Sequence, residues 1–336
     1  MPPTQPALNT ILPPLICGTA TFNSQFNNDP LSLPTTAIIH RALALGIAAF
    51  DTSPYYGPSE SLLGDALSHP SNTFTRDAYM LLTKVGRIAA DCFDYSPAWV
   101  RQSVTRSLQR LHTGYLDVVY CHDVEFVSAA EVLSAVGELR RMRDEEGTVR
   151  YVGISGYPVP LLWELAELIL RETGEPVDIV QSYAHYTLQN TTLGGEALEK
   201  FKGAGVGVIT NASVLGMGLL RTVGVPIGGM GDFHPSGQPL RQKVAEAARW
   251  TEGKGDRIEV VAIRWALDNW ARAGKSVGTK TGLGVSVMGV SNLDELQETM
   301  TVWNSVLDGF DIRNGAVGGE MQEWSVTRRK QIKLLK

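Results

Sequence analysis

Asp51 and Tyr56 stand five residues apart in FDTSPYYG (50–57), between a short apolar run and a helix-forming stretch. An acid and a phenol at the mouth of one loop can serve proton transfer. A free phenol ionises near pH 10, so a cation beside it is needed to make it useful closer to neutrality. Lys84 closes the apolar run LLTKV (81–85), and His122 follows VVYC (118–121). An ammonium favours the phenolate, a carboxylate holds that ammonium charged, and an imidazole can hydrogen-bond a reacting oxygen. Each residue alone has a packing explanation. Lys84 can snorkel from an apolar strand, His122 can be a satisfied core histidine, and Tyr56 can pack on Tyr55. Their recurrence at the ends of three successive apolar runs favours a shared site.

Those runs belong to a longer series. Strands are expected at Leu15–Gly18, Ala48–Asp51, Tyr79–Val85, Leu116–Cys121, Arg150–Ile154, Val177–Gln181, Val206–Ile209 and Gly284–Gly289, from short β-rich apolar segments bounded by turn residues. Helical periodicity follows nearly every one, for example at Thr35–Leu45, Pro97–Leu111 and Leu293–Val306. A segment at about 216–238 is Gly-rich and too unpatterned for a packed element. Strand–helix alternation implies parallel strands with right-handed crossovers. Eight such units suit an α/β fold of the closed (β/α)8 TIM barrel type. An open dinucleotide-binding sheet would carry a glycine fingerprint after its first strand, and CGTATFNS (17–24) lacks it. With no composition break, one barrel domain over 1–336 is expected, with an N-terminal plug at about 1–14 and a C-terminal tail at about 308–336. In such barrels the site lies at the carboxyl ends of the strands, where Asp51, Lys84 and His122 fall.

Composition narrows the partners. A net charge of −5 and 19% charged residues argue against nucleic acid and anionic membrane as ligands. No apolar run reaches the ~18–20 residues of a membrane span. Cys17, Cys92 and Cys121 have neither metal-ligand spacing nor a disulfide framework. No metal is expected. A reducing, cytoplasmic setting is expected, since no secretory signal opens the chain. The basic tail (Arg328, Arg329, Lys330, Lys333, Lys336) reads as a solvated extension.

Asp51, Tyr56, Lys84 and His122 together resemble the catalytic tetrad of the aldo-keto reductases, over about residues 10–307. DTSPYYG, YCHDVEF (120–126) and QSYAHYTLQNTTL (181–193) are similar to the NAD-dependent sugar dehydrogenases of that family. The resemblance implies oxidation of an aldose (D-arabinose, L-galactose or L-fucose type) at C1 to the lactone. Tyr56 would be the acid/base, Lys84 and Asp51 would tune it, and His122 would hold the reacting oxygen. It also implies a nicotinamide cofactor, contacted by Gly18 and Thr19, by Ser155 and Gln181 at the carboxamide, and by Ser213, Leu215, Gly216 and Gly218 at the pyrophosphate. Gly156 stands where the wider family has Asn, and Asn211-Ala212 where it has a stacking tyrosine.

Ser291, Glu295 and Glu298 would meet the adenosine. No Lys or Arg occurs between 281 and 300, so NAD is expected over NADP, Glu295 facing a free ribose hydroxyl. Asn292 and Glu295 also have capping spacing. Asp123, Phe22 and His185 are expected at the substrate, with Glu125 and Tyr186 as further rim candidates. The partner would be a small sugar and the state a monomer or homodimer. An NADPH-dependent carbonyl or aldehyde reductase and a cofactor-binding regulatory subunit remain open at this point.

Overall fold

The computed structural model describes residues 5–226 and 231–310. Its eight strands are β1 (Leu15–Gly18), β2 (Ala49–Asp51), β3 (Met80–Val85), β4 (Leu116–His122), β5 (Val149–Gly156), β6 (Ile179–Tyr183), β7 (Val208–Ala212) and β8 (Val285–Gly289). All neighbours are parallel, and β8 pairs with β1 to close the barrel. The expected fold class is the observed one.

Alternation along each strand divides the core in two. One set of side chains points inward: Ile16, Leu82, Val118, Tyr120, Ile179, Val208 and Val285 form an apolar plug inside the barrel. Leu8 and Leu12 join it from the N-terminal segment, and the Tyr151 hydroxyl ties that segment down by donating to the Pro6 carbonyl at 2.5 Å. The other set points outward to the helices, α1 (Thr35–Ala44), α2 (Ser59–Ser68), α3 (Pro97–Arg110), α4 (Ala129–Arg141), α5 (Val159–Thr173), α6 (Glu196–Gly203), α7 (Gln238–Glu252), α8 (Ile258–Ala273) and α9 (Leu293–Gly309). Phe50, Leu81, Val119, Val152, Val180 and Ile209 meet the inner faces of the helical ring there. Full burial of each such side chain contributes ~1.5–3 kcal/mol.

Local chemistry sets the helix ends. Ser96 caps α3 (Pro97–Arg110), accepting from the Trp99 amide at 3.3 Å, with Pro97 at the first turn. Ser128 and Glu131 form a reciprocal capping box on α4 (Ala129–Arg141). Asn292 caps α9 (Leu293–Gly309) through the Glu295 amide, while the Glu295 carboxylate returns to the Ser291 amide at 2.8 Å.

Two strands depart from expectation. β6 and β7 each lie two residues or more further along the chain than the apolar runs Val177–Gln181 and Val206–Ile209 indicate. Their last residues are polar or small because they face the barrel mouth, so hydrophobic patterning stops short of them. The Gly-rich segment is also better packed than its composition suggests. Leu219 and Leu220 are buried against Val244 of α7 (Gln238–Glu252) and Ala262 of α8 (Ile258–Ala273). The Thr222 amide and hydroxyl both donate to Glu259, at 2.9 and 2.7 Å. Residues 227–230 and the tail from 311 lie outside the described residues. No helix among the described residues is long and apolar enough to cross a membrane.

Candidate active site

Above the apolar plug the inward positions turn polar. Register places His122 of β4 beside Ser155 of β5, Ser155 beside Gln181 of β6, and Gln181 beside Thr210 of β7. On the other side Gly18 of β1 pairs with both Asp51 of β2 and Gly289 of β8. A cleft of about 640 Å³ opens over this row, within the usual size for a cofactor or small-molecule site.

Lys84 lies beneath the cleft floor, fully buried. Its ammonium donates to Asp51 Oδ1 at 2.7 Å and to the Thr52 carbonyl at 2.9 Å, and it stands 4.9 Å from the centre of the Tyr56 ring. Burial is the largest single effect and works against the charged ammonium, but Asp51 and Tyr56 together outweigh it and the Lys84 pKa is raised. Burial likewise raises the Asp51 pKa, with Lys84 opposing the rise. A fixed buried ion pair thus sits under the phenol.

The phenol itself behaves differently from expectation. Burial pushes the Tyr56 pKa up to about 12, and Lys84 pulls against that rise without cancelling it. The expectation of a net lowering is therefore corrected: in the cleft as it stands, desolvation is the larger effect. Part of the Tyr56 ring faces the open cleft, so the balance responds to whatever fills it.

His122 is buried, its ring centre 5.8 Å from that of Tyr56. Desolvation is the main cause pushing its pKa down, to about 3, so the imidazole is neutral at physiological pH. Its Nδ1 lies 3.1 Å from Ser53 Oγ, and its backbone carbonyl accepts from the Tyr95 hydroxyl at 2.6 Å.

Beside His122, Asp123 adopts a left-handed backbone conformation, φ +57°, which aspartate tolerates better than most residues. Arg87 forms an ion pair with Asp123 Oδ2, and the Tyr183 hydroxyl donates to Oδ1 at 3.2 Å. The Arg87 guanidinium also lies 3.9 Å above the Tyr55 ring. Glu125 Oε1 accepts from the Tyr157 amide at 2.9 Å, whereas its Oε2 is buried with no partner among the described residues. Burial raises its pKa. A Cβ on Gly156 would stand 2.5 Å from that Oε2. Glu125 therefore fills the space that a side chain at 156 would need.

Of the residues singled out from sequence, Asp51, Tyr56, His122, Asp123, Gly18, Ser155, Gln181, Ser213, Leu215, Gly218, Ser291 and Glu295 line the cleft. Five do not. Phe22 is buried in the outer core, because its amide bonds the Thr19 carbonyl in a turn that aims the ring at the helices. Thr19 is occupied as a clamp: its hydroxyl donates to the Asp51 carbonyl at 3.0 Å and accepts from Ser59 Oγ at 2.7 Å. His185 lies behind Tyr157, ring centres 4.4 Å apart. The Gly216 carbonyl bonds His234 Nε2 at 2.8 Å, away from the cleft. Glu298 pairs with Arg257 on the outer face of α9. Tyr186 too faces outward, against Trp265 and Trp270.

Tyr55, Arg87, Tyr157, Tyr183 and Arg221, none of them a site candidate from sequence, also line the cleft. Strand parity alone points to Tyr183, two residues beyond the inward Gln181. No local signal marks Arg87 or Arg221. At the opposite wall the inward residue of β7 is Ala212, while Asn211 points outward and donates to the Tyr186 carbonyl at 2.9 Å. No aromatic ring occupies that position.

The cleft fits a nicotinamide dinucleotide. The buried Ser155 Oγ has no partner among the described residues and stands beside Gln181, ready for an amide. The walls at Gly18 and Gly289 are thinned, since a Cβ at either would lie 3.0 Å from Val287 Cγ1 or Thr21 Cγ2. Ser213, Met217 and Gly218 line the cleft with positive φ, a backbone arrangement of the kind that cradles anions.

A closed parallel barrel with a buried Lys–Asp pair under a tyrosine at its mouth is suited to moving a proton at a hydroxyl or carbonyl held in the cleft. The chain belongs to the aldo/keto reductase family, whose pattern matches residues 14–314. It is 41% identical over 286 residues to D-arabinose 1-dehydrogenase from Saccharomyces cerevisiae, covering 84% of this chain and 81% of that one. It is 34% identical over 279 residues to L-galactose dehydrogenase from Arabidopsis thaliana, covering 81% and 83%. Among solved structures, a glycerol dehydrogenase from Gluconobacter oxydans matches with a TM-score of 0.63 at 22% identity, over 93% of this chain and 96% of that one. That likeness speaks for the fold alone.

Proposed function

We propose that this protein oxidises a free aldose at C1 to the aldonolactone with NAD, as a single barrel domain. The observation that carries the reading is the Lys84–Asp51 pair buried directly beneath Tyr56, with neutral His122 facing the same ring. The two sugar dehydrogenases similar to this chain support the substrate class.

Tyr56 takes the proton of the C1 hydroxyl as its phenolate, and Lys84 stabilises that anion in the low-dielectric floor. Asp51 keeps Lys84 charged. His122 donates a hydrogen bond to the C1 oxygen and fixes it beside Tyr56. A nicotinamide held here would supply the hydride acceptor for C1, whose C–OH would become the lactone carbonyl. Ser155 and Gln181 would hold its carboxamide, and the backbone from Ser213 to Gly218 its pyrophosphate. Asp123, with Arg87, Tyr183 and Glu125 around it, is suited to the remaining sugar hydroxyls.

Purified protein is expected to form NADH with pentoses and 6-deoxyhexoses. Turnover of simple aldehydes alone, with no free sugar oxidised, would overturn the reading.

Cofactor choice rests on Glu295, which lines the cleft and repels a 2′-phosphate. Arg221 brings a guanidinium to the same cleft, and this favours the NADPH alternative unless it serves the pyrophosphate common to both cofactors. We assign it to the pyrophosphate. Arg221→Ala is then expected to raise KM for NAD and NADP alike, by about ten-fold for one charged hydrogen bond. A loss confined to NADP in steady-state kinetics would instead place Arg221 at the 2′-phosphate.

A further inference from the structure

Ser53 lies fully buried between the Asp51 strand end and the Tyr56 loop, and none of the roles above uses it. Its hydroxyl has one proton to give. The Tyr55 amide donates to Ser53 Oγ at 3.1 Å, and the only other hydrogen-bond partner of that oxygen among the described residues is His122 Nδ1, also at 3.1 Å. If Nδ1 carried a proton, it would use the remaining lone pair of Ser53 and leave the serine proton without an acceptor. With Nδ1 bare, every group is satisfied: the amide donates to Oγ, and Oγ donates to Nδ1.

The other face of the ring gives an independent reason. Nε2 of His122 lies 3.6 Å from Asp123 Oδ2. A bare Nε2 would turn its lone pair toward a carboxylate oxygen that pairs with Arg87. An Nε2–H turns a positive edge toward it instead. The 3.6 Å gap is too long for a hydrogen bond, and Asp123 already accepts from Arg87 and Tyr183. The Nε2 proton is therefore oriented but not consumed, and stays available to an oxygen in the cleft.

We propose that Ser53 is a positioning residue that, with Asp123 on the opposite side, holds His122 in its Nε2–H tautomer so that the imidazole meets the reacting oxygen as a donor. The consequence for catalysis rests on the proposed oxidoreductase chemistry at this cleft, but the tautomer does not. A histidine presenting a bare nitrogen would repel the C1 oxygen as the alkoxide forms. The hydroxyl at position 53 thus determines whether the histidine helps or hinders the developing charge.

The test is a long-range proton–nitrogen correlation spectrum of the full-length protein labelled with 15N-histidine, without substrate or cofactor. His122 is assigned by comparison with His122→Gln. The wild type is expected to show the Nε2–H pattern. Ser53→Ala is expected to shift both ring nitrogens toward the tautomer average and to lower kcat by about ten-fold or more. Ser53→Thr is expected to restore both. A wild-type Nδ1–H pattern would overturn the proposal, even if Ser53→Ala failed to fold. So would a folded Ser53→Ala that keeps His122 wholly Nε2–H. Because the spectra are taken on unliganded protein, a failed sugar assay leaves this result intact, and a failed tautomer result leaves the sugar assay intact.

Discussion

Tyr56→Phe is expected to lower kcat for aldose oxidation by about a thousand-fold while leaving cofactor binding within two-fold, the range for loss of a positioned acid/base being roughly 10²–10⁴. The substitution removes one oxygen and keeps the ring that faces Lys84 and His122. A change in binding would point to displacement of the wall, and a change in kcat alone to loss of the proton acceptor. The pH profile sharpens the test. Burial holds the phenol up at about 12, so in oxidation the reactive phenolate is a minor species that increases with pH. The logarithm of kcat/KM should climb with pH through the alkaline range. The reverse reduction draws on the protonated phenol and should be flat across neutrality. Neither limb should inflect near the ordinary histidine value, since His122 is held neutral down to about 3. In Tyr56→Phe the alkaline climb should vanish. Wild-type-like kcat in that variant would remove Tyr56 from the chemistry.

The second large effect concerns the pair below it. Asp51→Asn removes the carboxylate paired with Lys84 and leaves the buried ammonium with neutral acceptors only, the Thr52 carbonyl among them. Lys84→Met leaves a buried carboxylate whose second oxygen already has no partner among the described residues. Breaking a buried pair from one side costs roughly 3–5 kcal/mol, whereas removing both charges is often close to neutral. Each single variant is therefore expected to unfold at clearly lower urea concentration, by about 3 kcal/mol. The double variant Asp51→Asn/Lys84→Met should recover much of that loss. Activity should not recover with it. Lys84 is the group that opposes the rise in the Tyr56 pKa, so without it the alkaline limb moves to higher pH and the rate at neutrality falls further. Stability regained with activity still lost would separate the structural from the chemical role of the pair. A double variant no more stable than the singles would show that the pair is not coupled in the folded state.

How much of this was legible in the chain depends on the range of the interaction. Asp51, Lys84 and His122 stood out because each ends an apolar run, and the inward row over the barrel plug is built from just such residues. The eight-fold alternation of strand and helix was likewise readable, since amphipathic periodicity is local and parallel strands require crossovers. Where the strand ends are polar the same patterning falls short, as at Gln181 to Tyr183 and Thr210 to Ala212. Hydrophobic spacing has no means of marking residues that line a wet cleft.

Other features needed the closed barrel. Phe22 has the sequence position of a rim residue, but a turn at Thr19 aims it into the helices. Glu298 has the position of an adenosine contact, but its carboxylate pairs on the outer face with Arg257, 41 residues away. Arg87 joined the site through Asp123, 36 residues on, with nothing in its own neighbourhood to announce it. The sequence by itself determined that an acid, a lysine and a histidine stand at three successive strand ends, with a tyrosine on the loop between the first two. Only the tertiary structure decided the sign of the shift at Tyr56, because that sign is a contest between burial and one ammonium. Burial is a property of everything packed around a group, whereas a residue type and its spacing are properties of the chain.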